Sequence, residues 1–285
     1  MGTWKDFFME TLEPMATAPV RILVIPASAG AGASFLSQVL AWQLAHLQSG
    51  EKKPAPRPAV SLIETADACF FRALGMEQPY LERRFSDVHL ALEKGSPIRD
   101  LVNERDGINC LFRIPAKSPE LTVPRLFRLL NSSPGSVQIF DFSGLDNELL
   151  SDAAAEGEVR ILVIDPLPSS LLAACDRISS FLLRFPDTIL VVNKMNPGVH
   201  KRQLSSFLDR KTCCYVPYLP PEVIYKAQYC RLFAASLQDA RPLLFKSVSQ
   251  LLSLIDERLQ QPLSRALLPS CEPSSGLSHF KKKKQ

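Results

Sequence analysis

The sequence has no apolar stretch long enough to cross a bilayer. The longest near its middle, Leu171 to Leu183, is cut by Asp176 and Arg177, and a spanning helix needs about 20 such residues. Residues 1–20 lack the unbroken apolar run of a signal peptide, because Lys5, Asp6, Glu10 and Glu13 interrupt it. A myristoylation signal is missing as well, since position 6 is Asp. The seven cysteines form no C-x-x-C pair and are odd in number, which argues for reduced thiols over a disulfide framework. No strong charge of one sign is present either: 33 basic residues face 29 acidic ones, and Lys281 to Lys284 account for the whole formal excess of +4. A neutral body has no general nucleic-acid character, so no specific nucleic-acid partner is expected. There is no internal repeat. Together these absences predict a cytoplasmic protein.

What is present is an ordinary globular composition, 46% hydrophobic over 285 residues, enough for one large core. Short apolar runs alternate with helical patterns. Val20 to Ile25 reads as a strand buried on both faces, followed by small residues from Ser28 to Ser34. From Phe35 to Gln48 a helix follows, with Leu36, Val39, Leu40, Leu44 and Leu47 on one face. Further strands are expected at Ala59–Ile63, Ile108–Ile114, Val137–Phe140, Arg160–Ile164 and Thr188–Val192. Helices are expected at Ser170–Arg184, His200–Leu208 and Leu244–Leu259, and residues 66–135 read as mixed and mainly helical. This alternation predicts an α/β fold, a three-layer, doubly wound, mainly parallel sheet. Residues 19–261 would form one domain. Residues 1–18 read as a packing arm with Trp4, Phe7, Phe8 and Leu12 on one helical face before Pro14, and residues 262–285 as a disordered basic tail.

Polar residues recur where the apolar strands stop, and in open parallel sheets ligands bind beyond those carboxyl ends. Between the first strand and helix lies Pro26-Ala27-Ser28-Ala29-Gly30-Ala31-Gly32-Ala33-Ser34, where backbone N–H groups and a helix N-terminus can hold an anion. This stretch resembles the deviant Walker A loop, K-G-G-x-G-K-[ST], of the ParA/MinD class of P-loop ATPases. Gly30, Gly32 and Ser34 match it, while Ser28 and Ala33 stand where the class has lysines. Leu62-Ile63-Glu64-Thr65-Ala66 resembles the strand that ends in two spaced acidic residues. Glu64 takes the first place, where it would serve Mg²⁺ through water, Ala66 takes the second, and Asp67 next to them reads as a helix cap. Val137 to Leu145 resembles a Walker B strand with Asp141 at its end and Gly144 beyond. Val191-Val192-Asn193-Lys194 and Val216-Pro217-Tyr218-Leu219-Pro220 resemble the adenine-side strand end and loop, with Leu219 in an acidic position.

The resemblance covers roughly residues 20–230. It implies a P-loop NTPase-like fold and a degenerate nucleotide site made of Gly30, Ala31, Gly32, Ala33, Ser34, Phe35, Glu64, Asp141, Asn193, Lys194 and Pro217. Ser34 and Asp141 would hold Mg²⁺ with ATP or ADP. No catalytic residue is assigned, because the missing lysines carry the charge stabilisation that phosphoryl transfer depends on. The expected role is regulatory, localising or assembly-related in a bacterial protein, with protein partners, a homodimer across the nucleotide face, and weak contact of Lys281, Lys282, Lys283 and Lys284 with the inner membrane surface. Phe70–Leu92 followed by Ile108–Pro115 is also similar to the TadZ/CpaE branch, whose usual receiver-like domain this chain lacks. One alternative is an active ATPase drawing its charge from Lys194 or from a second subunit, with Arg57 and Lys52 of lower standing. Another is an NAD(P)-binding Rossmann enzyme using Gly30-x-Gly32, with Glu64 on the ribose. Cys213, Cys214, His200 and Cys230 match no zinc spacing, His46 and His89 have no catalytic pattern around them, and no tyrosine cluster follows Tyr229.

Overall fold

The computed structural model describes residues 18–47, 58–209 and 213–267. Its strands are β1 (Val20–Pro26), β2 (Val60–Glu64), β3 (Glu104–Arg105), β4 (Ile108–Leu111), β5 (Val137–Asp141), β6 (Val159–Ile164), β7 (Ile189–Met195) and β8 (Cys214–Pro217). They form one sheet in the order β3-β4-β2-β5-β1-β6-β7-β8, parallel throughout except for β3 against β4. The α-helices among the described residues are α1 (Ala33–His46), α2 (Phe70–Ala73), α3 (Glu77–Leu81), α4 (Val88–Glu93), α5 (Val123–Ser132) and α6 (Asn147–Ala153). They continue with α7 (Pro168–Arg184), α8 (Lys201–Phe207), α9 (Pro221–Tyr229), α10 (Arg241–Leu259) and α11 (Leu263–Ala266).

Alternation along each strand divides the core into two halves. Ile22 and Val24 of β1 face the cluster that holds α1, α2, α9 and α10, whereas Leu23 and Ile25 face the cluster of α4 to α8. With helices on both faces the sheet is buried from both sides, which is why its strands read as continuous apolar runs. The apolar stripe of α10 closes the core: Leu244, Val248, Leu251 and Ile255 are all buried.

Several expectations need correction. β1 pairs with β5 and β6, and β2 pairs with β4 and β5, so β1 and β2 are not neighbours. A dinucleotide-binding Rossmann sheet places them side by side, and the NAD(P) alternative fails on topology. Pro217, expected in a loop, ends β8, which tolerates it because β8 is an edge strand paired only with β7. Residues 262–267 do not begin a disordered tail. Leu263 and Leu267 are buried, and Leu263 N donates to Asp256 Oδ1 at 2.6 Å, so packing continues to Leu267. The arm at 1–17, Lys52, Arg57 and Lys281 to Lys284 lie outside the described residues.

Candidate functional site

The parallel arrangement brings the carboxyl ends of β1, β2, β5, β6 and β7 to one edge. From β1 the chain turns through Ala27–Gly32 into α1, with Gly30 at φ 72° and Gly32 at φ 94°, a left-handed region that favours glycine. A Cβ on Gly32 would also sit 2.0 Å from Asn193 Nδ2. Ala31 N donates to Ser28 O at 3.2 Å, and the first helical bond is Leu36 N to Gly32 O at 3.0 Å. Ala33, Ser34 and Phe35 thus begin α1 without helical carbonyls for their N–H groups, at the positive end of the helix dipole. Ala29 and Gly30 are exposed. The side chain of Ala33 is buried in the core cluster against which Phe35 also packs, so neither brings charge to the loop.

Opposite the loop, Ser143 N and Oγ donate to Asp141 Oδ1 at 3.2 and 2.7 Å. Ser34 Oγ lies 3.0 Å from Ser143 Oγ. Burial pushes the Asp141 carboxyl above its ordinary range, and hydrogen bonds from Ser34 and Ser143 pull the other way. Ser34 and Asp141 are therefore brought together, joined by Ser143. Asp67 caps no helix: its N–H donates to Ser143 O at 3.2 Å, and its carboxylate lies against Gly144, where a Cβ would approach within 2.2 Å.

Glu64 is wholly buried and both its oxygens are occupied. Oε1 accepts from Cys69 N at 2.7 Å and Phe70 N at 2.5 Å, capping α2, and Oε2 accepts from Arg113 N at 2.9 Å. Burial raises its pKa to about 7 against the pull of those donors. Around it, His89 Nε2 donates to Glu64 O at 3.0 Å, and Arg113 donates to Thr65 O and Pro119 O at 3.0 and 2.8 Å. Burial, aided by the Arg113 charge, lowers the pKa of His89 to about 4. Glu64 is thus a structural keystone, and the sequence carries no sign of its Arg113 partner, 49 residues away.

At the other side, Asn193 Nδ2 donates to Ala31 O at 3.0 Å. Lys194, at φ 57° where the pairing of β7 with β8 shifts register, donates to Gly30 O and pairs with Asp165 Oδ2, both at 2.6 Å. A non-glycine residue in that conformation costs about 1 kcal/mol or more, which these bonds offset. Asn193 and Lys194 therefore strap the end of β7 onto the loop. Asp165 directly follows the expected strand Arg160–Ile164, but nothing in the sequence signals its pairing with Lys194. Tyr218 N, just after Pro217, donates to Met195 O at 2.8 Å, and Leu219 is buried in the core, which accounts for an apolar residue in place of an acidic one. No group of three or more His, Cys, Asp or Glu able to hold a metal occurs among the described residues.

No protein-family model and no curated protein matches the sequence. Solved structures do match. A putative plasmid partition protein from Borrelia burgdorferi bound to AMPPNP aligns with TM-score 0.63 at 14% identity over 84% of this chain and 99% of its own. The septum site-determining protein MinD from Pyrococcus horikoshii, complexed with Mg-ADP, aligns with TM-score 0.60 at 13% identity over 84% and 98%. MinD from Aquifex aeolicus in a MinC:MinD cell division complex aligns with TM-score 0.58 at 15% identity over 82% and 96%. At these identities the likeness is one of fold, and the chain has the three-layer α/β fold of the ParA/MinD P-loop ATPases.

Proposed function

We propose that this chain is a regulatory, localising or assembly protein of ParA/MinD type that binds a nucleotide weakly and hydrolyses it very slowly or not at all. The observation that carries this reading is a loop whose first helical N–H groups have no carbonyl partners and which, among the described residues, has no free ammonium. The lysine that the fold brings there, Lys194, is already committed to Gly30 O and Asp165. Backbone donors at a helix N-terminus suffice to hold a phosphate. Turnover needs charge placed where it develops in the transition state, and Ser28, Ala33 and Ala66 supply none.

The donor set fits magnesium held together with a nucleotide's phosphates. Ser34 offers a hydroxyl and Asp141 a carboxylate joined to it through Ser143, and Mg²⁺ is commonly bound by one or two such groups plus phosphate and water. When bound it would neutralise phosphate charge. The nucleotide-bound neighbours support this reading, and the MinC complex supports a protein partner. A homodimer across the loop face and weak membrane-surface contact through Lys281 to Lys284 belong to the same proposal.

The test is a thermal titration with ATP and ADP, with and without Mg²⁺, beside a turnover assay. A ligand at a hundred times its dissociation constant stabilises by about 2.7 kcal/mol. The expected result is such a shift with ATP or ADP at high concentration and little turnover. No shift with either nucleotide overturns the binding half, and brisk turnover abolished by Asp141→Ala overturns the other. A second reading is favoured by the 2.6 Å approach of Lys194 to the loop: Lys194 supplies the missing charge. Turnover lost in Lys194→Ala would support it.

A further inference from the structure

Away from the nucleotide edge, α1 and α10 leave a cleft of about 250 Å³ between them. Val39, Leu244 and Val248 are buried at its base. One wall is Trp42 stacked on His46, with ring centroids 4.2 Å apart, and the Arg241 guanidinium lies 4.9 Å over the Trp42 ring. The other wall is Phe245, 71% exposed. An aromatic side chain that open, beside an apolar cleft with a cationic rim, is a surface built to be covered.

We propose that the cleft is covered by the chain's own N-terminal segment, residues 4–12. Trp4, Phe7, Phe8 and Leu12 follow helical spacing i, i+3, i+4 and i+8, so one face presents three aromatic rings to the aromatic walls of the cleft. The segment's Lys5, Asp6 and Glu10 give it a net charge of −1, and Glu13 just beyond it adds another negative charge, opposite in sign to Arg241. The reach also fits. Val20, where the segment enters the sheet, shares one core cluster with Val39 and Trp42. The eight residues from Leu12 to Val20 span up to about 27 Å, more than the roughly 21 Å length of α1. A tethered segment acts at an effective concentration of about millimolar or higher, so modest contacts hold it in place. This surface is independent of the nucleotide site.

The two tryptophans, Trp4 and Trp42, make the proposal readable. In the full chain carrying Trp42→Phe, Trp4 is the sole emitter and is expected to emit blue-shifted light and resist acrylamide. Adding Phe245→Glu should shift the emission to the red and raise quenching several-fold. Without the Trp42 change, trypsin should cut after Lys5 several-fold faster in Phe245→Glu than in the unaltered chain, which guards against Trp42→Phe itself loosening the cleft. Solvent-like Trp4 emission together with cutting at Lys5 that ignores Phe245→Glu overturns the proposal. Trp4 burial that is lost on dilution also overturns it, because the occupant would then be the segment of a second copy.

Discussion

The loop after β1 and the corner after β2 both gather polar groups at strand ends, yet they use them in opposite ways. At the loop the N–H groups of Ala33, Ser34 and Phe35 start a helix without carbonyl partners, and Ser34 and Asp141 stand beside them. At the β2 corner every oxygen of the Glu64 side chain is taken by backbone donors. A carboxylate in the place that the resemblance gives to magnesium chemistry has become the fastening of α2 and of the chain after β4. One region leaves helix N–H groups without carbonyl partners, and the other has spent its carboxylate on the fold.

The largest effect separates the two carboxylates by stability. Glu64→Ala leaves the buried N–H groups of Cys69, Phe70 and Arg113 without acceptors and is expected to cost about 4 kcal/mol. Asp141→Ala removes an acceptor chiefly from Ser143, relieves a buried charge, and is expected to cost about 1 kcal/mol. Urea unfolding measures both. Equal costs would erase the contrast.

The corner should also show in pH. Glu64 has a pKa raised from 4.5 to about 7, so its contribution is complete below 4.5 and is lost as pH rises through 7. His89 has a pKa lowered from 6.5 to about 4, so its contribution is complete above 6.5 and is lost as pH falls through 4. Each amounts to about 3 kcal/mol, and between pH 4.5 and 6.5 the two oppose each other. His89→Gln should therefore leave stability that declines as pH rises through this window, and Glu64→Gln stability that rises. Parallel slopes in the two variants would show that Glu64 and His89 do not titrate as their burial dictates.

At the loop the corresponding perturbation is Gly32→Ala. It combines a φ of 94° with a Cβ 2.0 Å from Asn193 Nδ2, so about 2 kcal/mol should be lost. In an Asn193→Ala background the clash is gone, and only the backbone cost of about 1 kcal/mol should remain. Thermal melts of the four proteins close that cycle. Full additivity would mean that Asn193 does not strap the loop.

The contrast between the regions also explains what the sequence disclosed. Val137–Phe140 and Thr188–Val192 were legible because strands buried on both faces are unbroken apolar runs that stop at a polar residue, and Asp141 and Asn193 were found at those stops. The use of Glu64 was hidden because its donors are backbone groups, and backbone N–H groups have no sequence signature. Arg113 also comes from another strand end. Asp67 was misread for the same reason, since the acceptor that caps α2 is Glu64 and not the nearer aspartate. β8 was missed because four residues ending in proline carry too little periodicity, and Leu263–Ala266 because Pro262 masks a helix held by Asp256.

Lys194 lies between the two uses, as a charged side chain at the loop that the fold has tied down. Its pair with Asp165 is partly exposed, at 35% and 13%, so Lys194→Met should change stability by no more than about 1 kcal/mol. The sharper reading comes from anion affinity, measured with inorganic phosphate or ADP. If the ammonium serves only to strap the loop, removing either partner loosens it, and Lys194→Met and Asp165→Asn weaken binding alike. If the loop binds by its N–H groups while Asp165 offsets the charge of the ammonium, the two variants part. Asp165→Asn then frees a positive charge beside Gly30 and removes a negative one, so affinity rises, while Lys194→Met leaves Asp165 unpaired against the incoming phosphate, so affinity falls. Lys194 lies as close to Gly30 O as to Asp165, 2.6 Å from each, so Asp165→Asn leaves the ammonium at the loop while removing the opposing charge, and the second outcome is the expected one. An increase with Asp165→Asn would show that this ion pair limits anion binding at the loop.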